Sequence, residues 1–67
     1  MLNATPPSPT QLLALCLQWE ADAADRDRCS LETGDADYRA MWARQAATLR
    51  ACAADLRAMV EAQAVAA

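Results

Sequence analysis

A single glycine, Gly34, lies at the middle of this chain of 67 residues. The sequence around it contains eighteen alanines and neither phenylalanine nor isoleucine. Alanine is the best helix former, whereas strands prefer aromatic and β-branched residues. Glycine adopts the left-handed backbone conformation that ends many helices without a steric penalty. The sequence therefore predicts an all-α protein in which one helix ends at Gly34 and a second begins just beyond it.

The start of the first helix is indicated by the stretch SPTQ, Ser8 to Gln11. Ser8 suits the N-cap, Gln11 completes a capping box, and Pro9 suits the first helical position because its missing N–H would be unpaired there anyway. We predict helix 1 over about 9–33. Residues 1–8, which include two adjacent prolines, are predicted to form a flexible arm.

The second helix is expected to begin directly after a turn at 34–35. Asp35 or Asp37 supplies an N-cap, and the negative charge of either favours the N-terminal end of the helix dipole. We predict helix 2 over about 36–64, with a fraying tail. A turn this short forces the two helices into an antiparallel hairpin that spans residues 9–67.

The hydrophobic pattern predicts which residues form the core. In helix 2 an alternating four-three spacing predicts one seam against a partner helix. The seam comprises Tyr38, Trp42, Gln45, Leu49, Cys52, Leu56, Met59 and Gln63. Helix 1 has a broad apolar sector in its first half. From both helices we take as candidate core or dimer residues Leu12, Cys16, Trp19, Leu49, Cys52, Leu56 and Met59.

Antiparallel pairing through the turn also predicts contacts between the helices. Cys16 should face Cys52, as a pair of buried thiols or, alternatively, as a disulfide. Glu20 should approach Arg50, and Asp27 should approach the segment 39–42, so that ion pairs link the helices on one flank.

The apolar sectors are broader than two helices side by side can cover. A chain this short also buries too little surface to be stable without a disulfide, a metal or an oligomer. A second copy is the simplest cover, because a twofold dimer of hairpins forms a four-helix bundle with one self-complementary interface. We therefore expect a homodimer.

Several classes of chemistry are disfavoured by what the sequence lacks. The chain has no histidine, only two serines and one glycine, so it offers neither a hydrolytic triad nor a phosphate-binding loop. Carboxylates in DRD and GDAD are explained as solvated or capping groups. Three cysteines without CxxC spacing predict no metal site, and Cys29 is at most a candidate reactive thiol. We expect a protein without enzymatic activity or cofactor.

Charge and hydropathy limit the partners further. A net charge of −3 and a pI near 4.5 do not suit phosphate binding, so nucleic acid is not expected as a direct ligand. No apolar run is long enough to span a bilayer, and the N-terminus lacks the features of a signal peptide. We expect a cytoplasmic protein.

The stretch DADYRAMWARQ, which follows Gly34, gathers the only tyrosine and one of two tryptophans near the hairpin tip. Arginine beside tyrosine and tryptophan is typical of binding hot spots. Packing against the alanines of helix 1, or burial in a dimer interface, are the alternatives. The candidate partner-binding residues are Arg26, Arg28, Tyr38, Met41 and Trp42.

A proline-bearing arm followed by two Ala/Arg-rich helices, the second containing YRAMWARQAATLRACAADLRAM, resembles the very small helical-hairpin proteins of bacteriophages and prophages. Among these are anti-activators of quorum sensing. The resemblance implies a dimeric adaptor that inhibits a host protein, such as a quorum-sensing transcription factor or a pilus-assembly ATPase, by docking on it. The alternatives are an anti-CRISPR or other anti-defence inhibitor, and a homodimeric structural or assembly protein.

Overall fold

The computed structural model describes residues 5–66, and of residue 66 only the backbone. It consists of two helices, α1 (Pro9–Glu32) and α2 (Ala36–Ala66), with no strand in the described range. The two helices pack together as a hairpin, which confirms the predicted all-α class. Over residues 5–66, neither helix is long and apolar enough to cross a membrane.

Helix α1 begins at the predicted capping box. The Ser8 hydroxyl accepts a hydrogen bond from the Gln11 N–H at 3.1 Å, and the Gln11 side chain accepts one from the Ser8 N–H at 2.8 Å. Pro9 occupies the first helical position. Residues 5–8 have no regular secondary structure, whereas residues 1–4 of the predicted arm lie outside the described range.

The turn differs from the prediction in one respect. Gly34 does not adopt a positive φ, so α1 does not end on a left-handed glycine. It ends instead at Thr33, an extended C-cap whose N–H donates to the Cys29 carbonyl. Asp35 then caps α2, because its Oδ1 accepts from the N–H groups of Asp37 at 2.8 Å and Tyr38 at 3.3 Å. The chain therefore changes direction at the extended C-cap Thr33, and not at a left-handed Gly34.

Helix α2 is longer than predicted. It continues to Ala66, two residues beyond the expected end at about 64. Four of its last five residues are alanine or valine, and alanine has the highest helix propensity. Ala67 lies outside the described residues.

The core of the hairpin is built from small side chains. The buried residues recur every seventh position in each helix, and apart from valine all are small. They are Cys16, Ala23 and Ser30 in α1, and Ala46, Ala53 and Val60 in α2. Small residues at a contact let the two backbones approach closely, so the core is narrow.

The predicted seam of α2 is therefore wrong at alternate positions. Trp42, Leu49 and Leu56 do lie beside the contact, each half-buried. The intervening positions that we predicted are exposed, namely Tyr38, Gln45, Cys52, Met59 and Gln63. The inward positions are instead those four residues after each large side chain, namely Ala46, Ala53 and Val60. This arrangement brings small residues to the line where the two helices approach most closely.

The same rotation of α2 separates the two cysteines that we expected to face each other. Cys16 is fully buried, whereas Cys52 is exposed and its neighbour Ala53 takes the inward position. Both thiols are free, so the expected juxtaposition and its disulfide alternative are wrong. Cys29 is half-buried.

Candidate protein-binding surface at the hairpin tip

The tip of the hairpin, the last two turns of α1 with the first three of α2, exposes aromatic and apolar side chains. Tyr38 is 57% exposed, so it does not belong to the core. Trp42 and Met41 are half-buried and contribute partly to packing. The structure thus places one aromatic residue on the surface and the other at the edge of the helix contact.

Arg26 links the two helices beneath this surface. Its Nε donates to Oε1 of Gln45 at 3.0 Å, and its Nη1 donates to the carbonyl of Asp22 at 3.3 Å. The guanidinium is therefore held in place by neutral acceptors, and its charge is not compensated by a carboxylate within salt-bridge distance in the described residues.

Arg28 does not join the other candidate residues. It is exposed and forms an ion pair with Asp25 on the preceding turn, at 3.0 Å. A separation of two residues turns a side chain about 200° around a helix, so Arg28 points away from the side on which Arg26 lies.

An open groove of about 490 Å³ lies along the tip half of α2. Its lining contains two of the predicted partner-binding residues, Arg26 and Met41, and two residues that were predicted for the helix seam, Gln45 and Leu49. Arg44 and Thr48 complete the lining, and the sequence pattern had not identified them. Spacings of three, four and seven from Met41 would have shown that Arg44, Gln45 and Thr48 share its side of the helix. No carboxylate from residues 5–66 lines the groove.

The arginines of the described range fall into two groups. Arg28, Arg50 and Arg57 each form an ion pair with a carboxylate. Arg26, Arg39 and Arg44 form no ion pair in the described residues, and all three lie in the tip half of the hairpin. Arg39 donates to the Thr33 carbonyl instead. Two of these three unpaired cations line the groove.

The opposite flank of the hairpin carries the ion pairs that link the helices. Arg50 pairs with Asp27, and Arg57 pairs with Glu20 at 3.0 Å. The hydrogen bond from Arg50 holds the pKa of Asp27 below its usual value and raises that of Arg50. All four side chains are well exposed to solvent, so the pairs contribute more to register than to stability.

These pairs lie one heptad away from those we predicted. We expected Arg50 to meet Glu20, and Asp27 to meet segment 39–42; Arg50 instead reaches Asp27. Helical side chains lean toward the N-terminus of their own helix, so Arg50 extends toward the tip and contacts a later residue of α1. A ladder of ion pairs is present, with its partners displaced.

No protein-family model, curated protein or solved structure matches this chain.

Proposed function

We propose that this chain is a small protein-binding adaptor or inhibitor, without enzymatic activity, that docks its hairpin tip on a regulatory or machinery protein of a bacterial host. The observation that carries the proposal is the exposed Tyr38 beside half-buried Trp42 and Met41. Tyrosine, tryptophan and arginine are the residues that most often dominate binding energy at protein interfaces.

The groove next to these residues supports the same conclusion. Its apolar side chains Met41 and Leu49 and its two arginines without carboxylate partners suit a segment of another chain that presents both apolar and acidic side chains. If acidic side chains of the docked molecule pair with these arginines, docking buries no charge without a partner. The structure offers this chemistry at the tip without a competing internal carboxylate in the lining.

We further propose that the working form is a homodimer in which two hairpins form a four-helix bundle. The supporting observation is that the largest apolar side chains are only half-buried in the single hairpin, among them Trp19, Trp42, Leu49 and Leu56. A second layer of helices would remove them from water.

The tip proposal is tested by replacing Tyr38 with alanine. Because Tyr38 is 57% exposed, Tyr38→Ala should leave the thermal midpoint of the hairpin nearly unchanged while partner capture falls at least tenfold. The measurement is quantitative mass spectrometry of proteins retained from a bacterial lysate by tagged wild-type and variant chains. Leu17→Ala is the matched control, because Leu17 is 60% exposed but lies in the first half of α1, away from the tip.

Equal capture by wild type, Tyr38→Ala and Leu17→Ala would exclude the tip as the docking surface. Loss of capture with Leu17→Ala alone would place the docking surface around Leu17, in the first half of α1 and away from the tip. Circular dichroism of each variant separates either result from a failure to fold.

A further inference from the structure

We propose that the second copy of the chain covers one particular face of the hairpin, and that it does so with both tips at the same end of the dimer. This inference rests on the dimer proposed above and assigns its interface and orientation. The open face, as we define it, comprises the large side chains on one side of the helix contact: Leu12, Leu15 and Trp19 in α1, and Trp42, Leu49, Leu56 and Met59 in α2.

The heptad pattern shows why these residues share a face. In each helix the buried small residues form one column, and the large half-buried residues form a second column three positions away on the same side of both helices. Leu15 and Met59, each three residues beyond a member of that second column, extend the face outward and are exposed. Much of this apolar surface is in contact with water in the single hairpin.

The opposite face is a poor candidate for the interface. It carries the ion pairs Arg50–Asp27 and Arg57–Glu20, which bridge the two helices there. A second copy on that face would remove both pairs from water, and the desolvation of buried ion pairs offsets much of their attraction. Among the described residues, no ion pair bridges the helices on the open face.

The open face is divided along its length. Its end far from the turn is formed by Leu12, Leu15, Trp19, Leu56 and Met59. Its half near the tip contains Trp42 and Leu49 together with the polar and charged side chains Asp22, Arg26 and Gln45, which occupy the corresponding columns.

Two orientations of a twofold dimer place this face against itself. With tips at the same end, the apolar half of one copy covers the apolar half of the other. With tips at opposite ends, leucines would cover Arg26, and α1 would lie on its own counterpart. Asp22, near the middle of α1, would then approach the Asp22 of the other copy, and two carboxylates at one site repel each other. The distribution of apolar and charged residues favours the same-end orientation.

Charge complementarity at the edges favours it as well. In the same-end dimer α1 of one copy lies on α2 of the other at the same height. The outer edge of α1 carries Asp25, which already pairs with Arg28, and Glu32, one heptad further on. The edge of α2 carries Arg44, which has no carboxylate partner in the described residues. The Arg26–Gln45 and Ser30–Arg39 hydrogen bonds place Arg44 level with the stretch between those two acids.

The consequence for function is a bivalent tip. Both Tyr38 side chains would lie at one end of the bundle, so that a single dimer could engage two sites on a symmetric partner. Linking two sites in this way raises the effective concentration of the second contact without any new interaction.

The orientation is tested by measuring the distance between the two tips. A spin label is attached to Gly34→Cys in a chain that also carries Cys29→Ser and Cys52→Ser; Cys16 is fully buried and remains. A side chain at residue 34 meets no atom within 4 Å, so the label is tolerated. Pulsed dipolar spectroscopy should give a tip-to-tip distance of roughly 15–30 Å, because packed helices lie about 8–10 Å apart.

A reciprocal measurement uses a mixed dimer, with Gly34→Cys labelled on one copy and Thr10→Cys, at the far end of α1, on the other. The same-end dimer predicts a distance set by the length of α1, about 36 Å for its 24 residues at ~1.5 Å each. A tip-to-tip distance near the 48 Å length of the molecule, with a short mixed distance, would overturn the orientation and leave the dimer standing.

Sedimentation equilibrium of the same samples separates the remaining outcome. A mass of one chain at micromolar concentration would overturn this inference together with the dimer, while the docking proposal would still be decided by the Tyr38→Ala experiment.

Discussion

At the scale of single residues, Ala46 and Ala53 set the separation of the two helices. Ala46 and Ala53 are fully buried, and they alternate with Leu49 and Leu56, which are only half-buried. A larger side chain at the small positions would push the backbones apart, and the neighbouring leucines would lose contacts with α1. The size of these alanines is therefore a structural requirement.

Replacing Ala53 with leucine tests that requirement. Ala53→Leu should lower the free energy of unfolding by about 1–3 kcal/mol, because the closely packed contact has no room for three further carbon atoms. Ala54→Leu is the matched control: its position is exposed and directly adjacent, so stability should change by less than about 0.5 kcal/mol. Urea denaturation followed by circular dichroism gives both values. Equal effects of the two substitutions would mean that the inward face of α2 has been misassigned.

At the scale of elements, the helix ends could be predicted far better than the contact between the helices. Ser8, Gln11 and Asp35 bond to backbone N–H groups within three residues, so local sequence alone specifies them. Two columns of residues flank Trp42, Leu49 and Leu56 with equally regular spacing, and either column could complete the side of α2 that contacts α1. Preference for larger apolar residues selects the exposed column, whereas close approach of the backbones selects the alanines.

The turn provides a prediction at the same scale. Gly34 has no positive φ, and a Cβ added there would meet nothing within 4 Å. Gly34→Ala should therefore raise the free energy of unfolding by about 0.4–1 kcal/mol, since alanine restricts the unfolded chain more than glycine does. Thermal and urea unfolding of the variant measure the change. Destabilisation instead would indicate that the turn needs the left-handed conformation that the sequence had suggested.

At the scale of the whole molecule, the hairpin has too little depth to enclose a core. The described residues extend 48 Å in one direction and only 14 Å in the shortest, and their radius of gyration is 15.6 Å. A compact domain of this length would have a radius near 11 Å. One layer of two helices leaves each helix in contact with water on most of its circumference, so its large apolar side chains are only partly buried.

The candidate site shows the same limit on prediction from sequence. Arg26 and Met41 could be proposed because arginine and apolar residues cluster near the aromatic stretch. Arg44 and Thr48 share the side of Met41 by helical spacing, but the sequence does not reveal that this side of α2 remains open once the helices have packed. The place of Arg28, in contrast, follows from helical spacing: it lies two residues from Arg26 and is turned away from it, and it lies three residues from Asp25 and pairs with it.

If a second layer stabilises the fold, unfolding and dissociation are coupled, and the thermal midpoint must rise with protein concentration. Taking an unfolding enthalpy of ~0.7 kcal/mol per residue over both chains, a hundredfold increase in concentration should raise the midpoint by about 10 °C. Met59→Glu should abolish this dependence, because it places a charge on the open face at a side chain that is exposed in the single hairpin. Leu17→Glu should preserve it, because Leu17 is equally exposed, at 60%, but lies about 200° around α1 from Trp19. A midpoint that is constant over that range in the wild-type chain would mean that one hairpin is stable without a second copy, and the large side chains of the open face would then have to be explained by the docked partner alone.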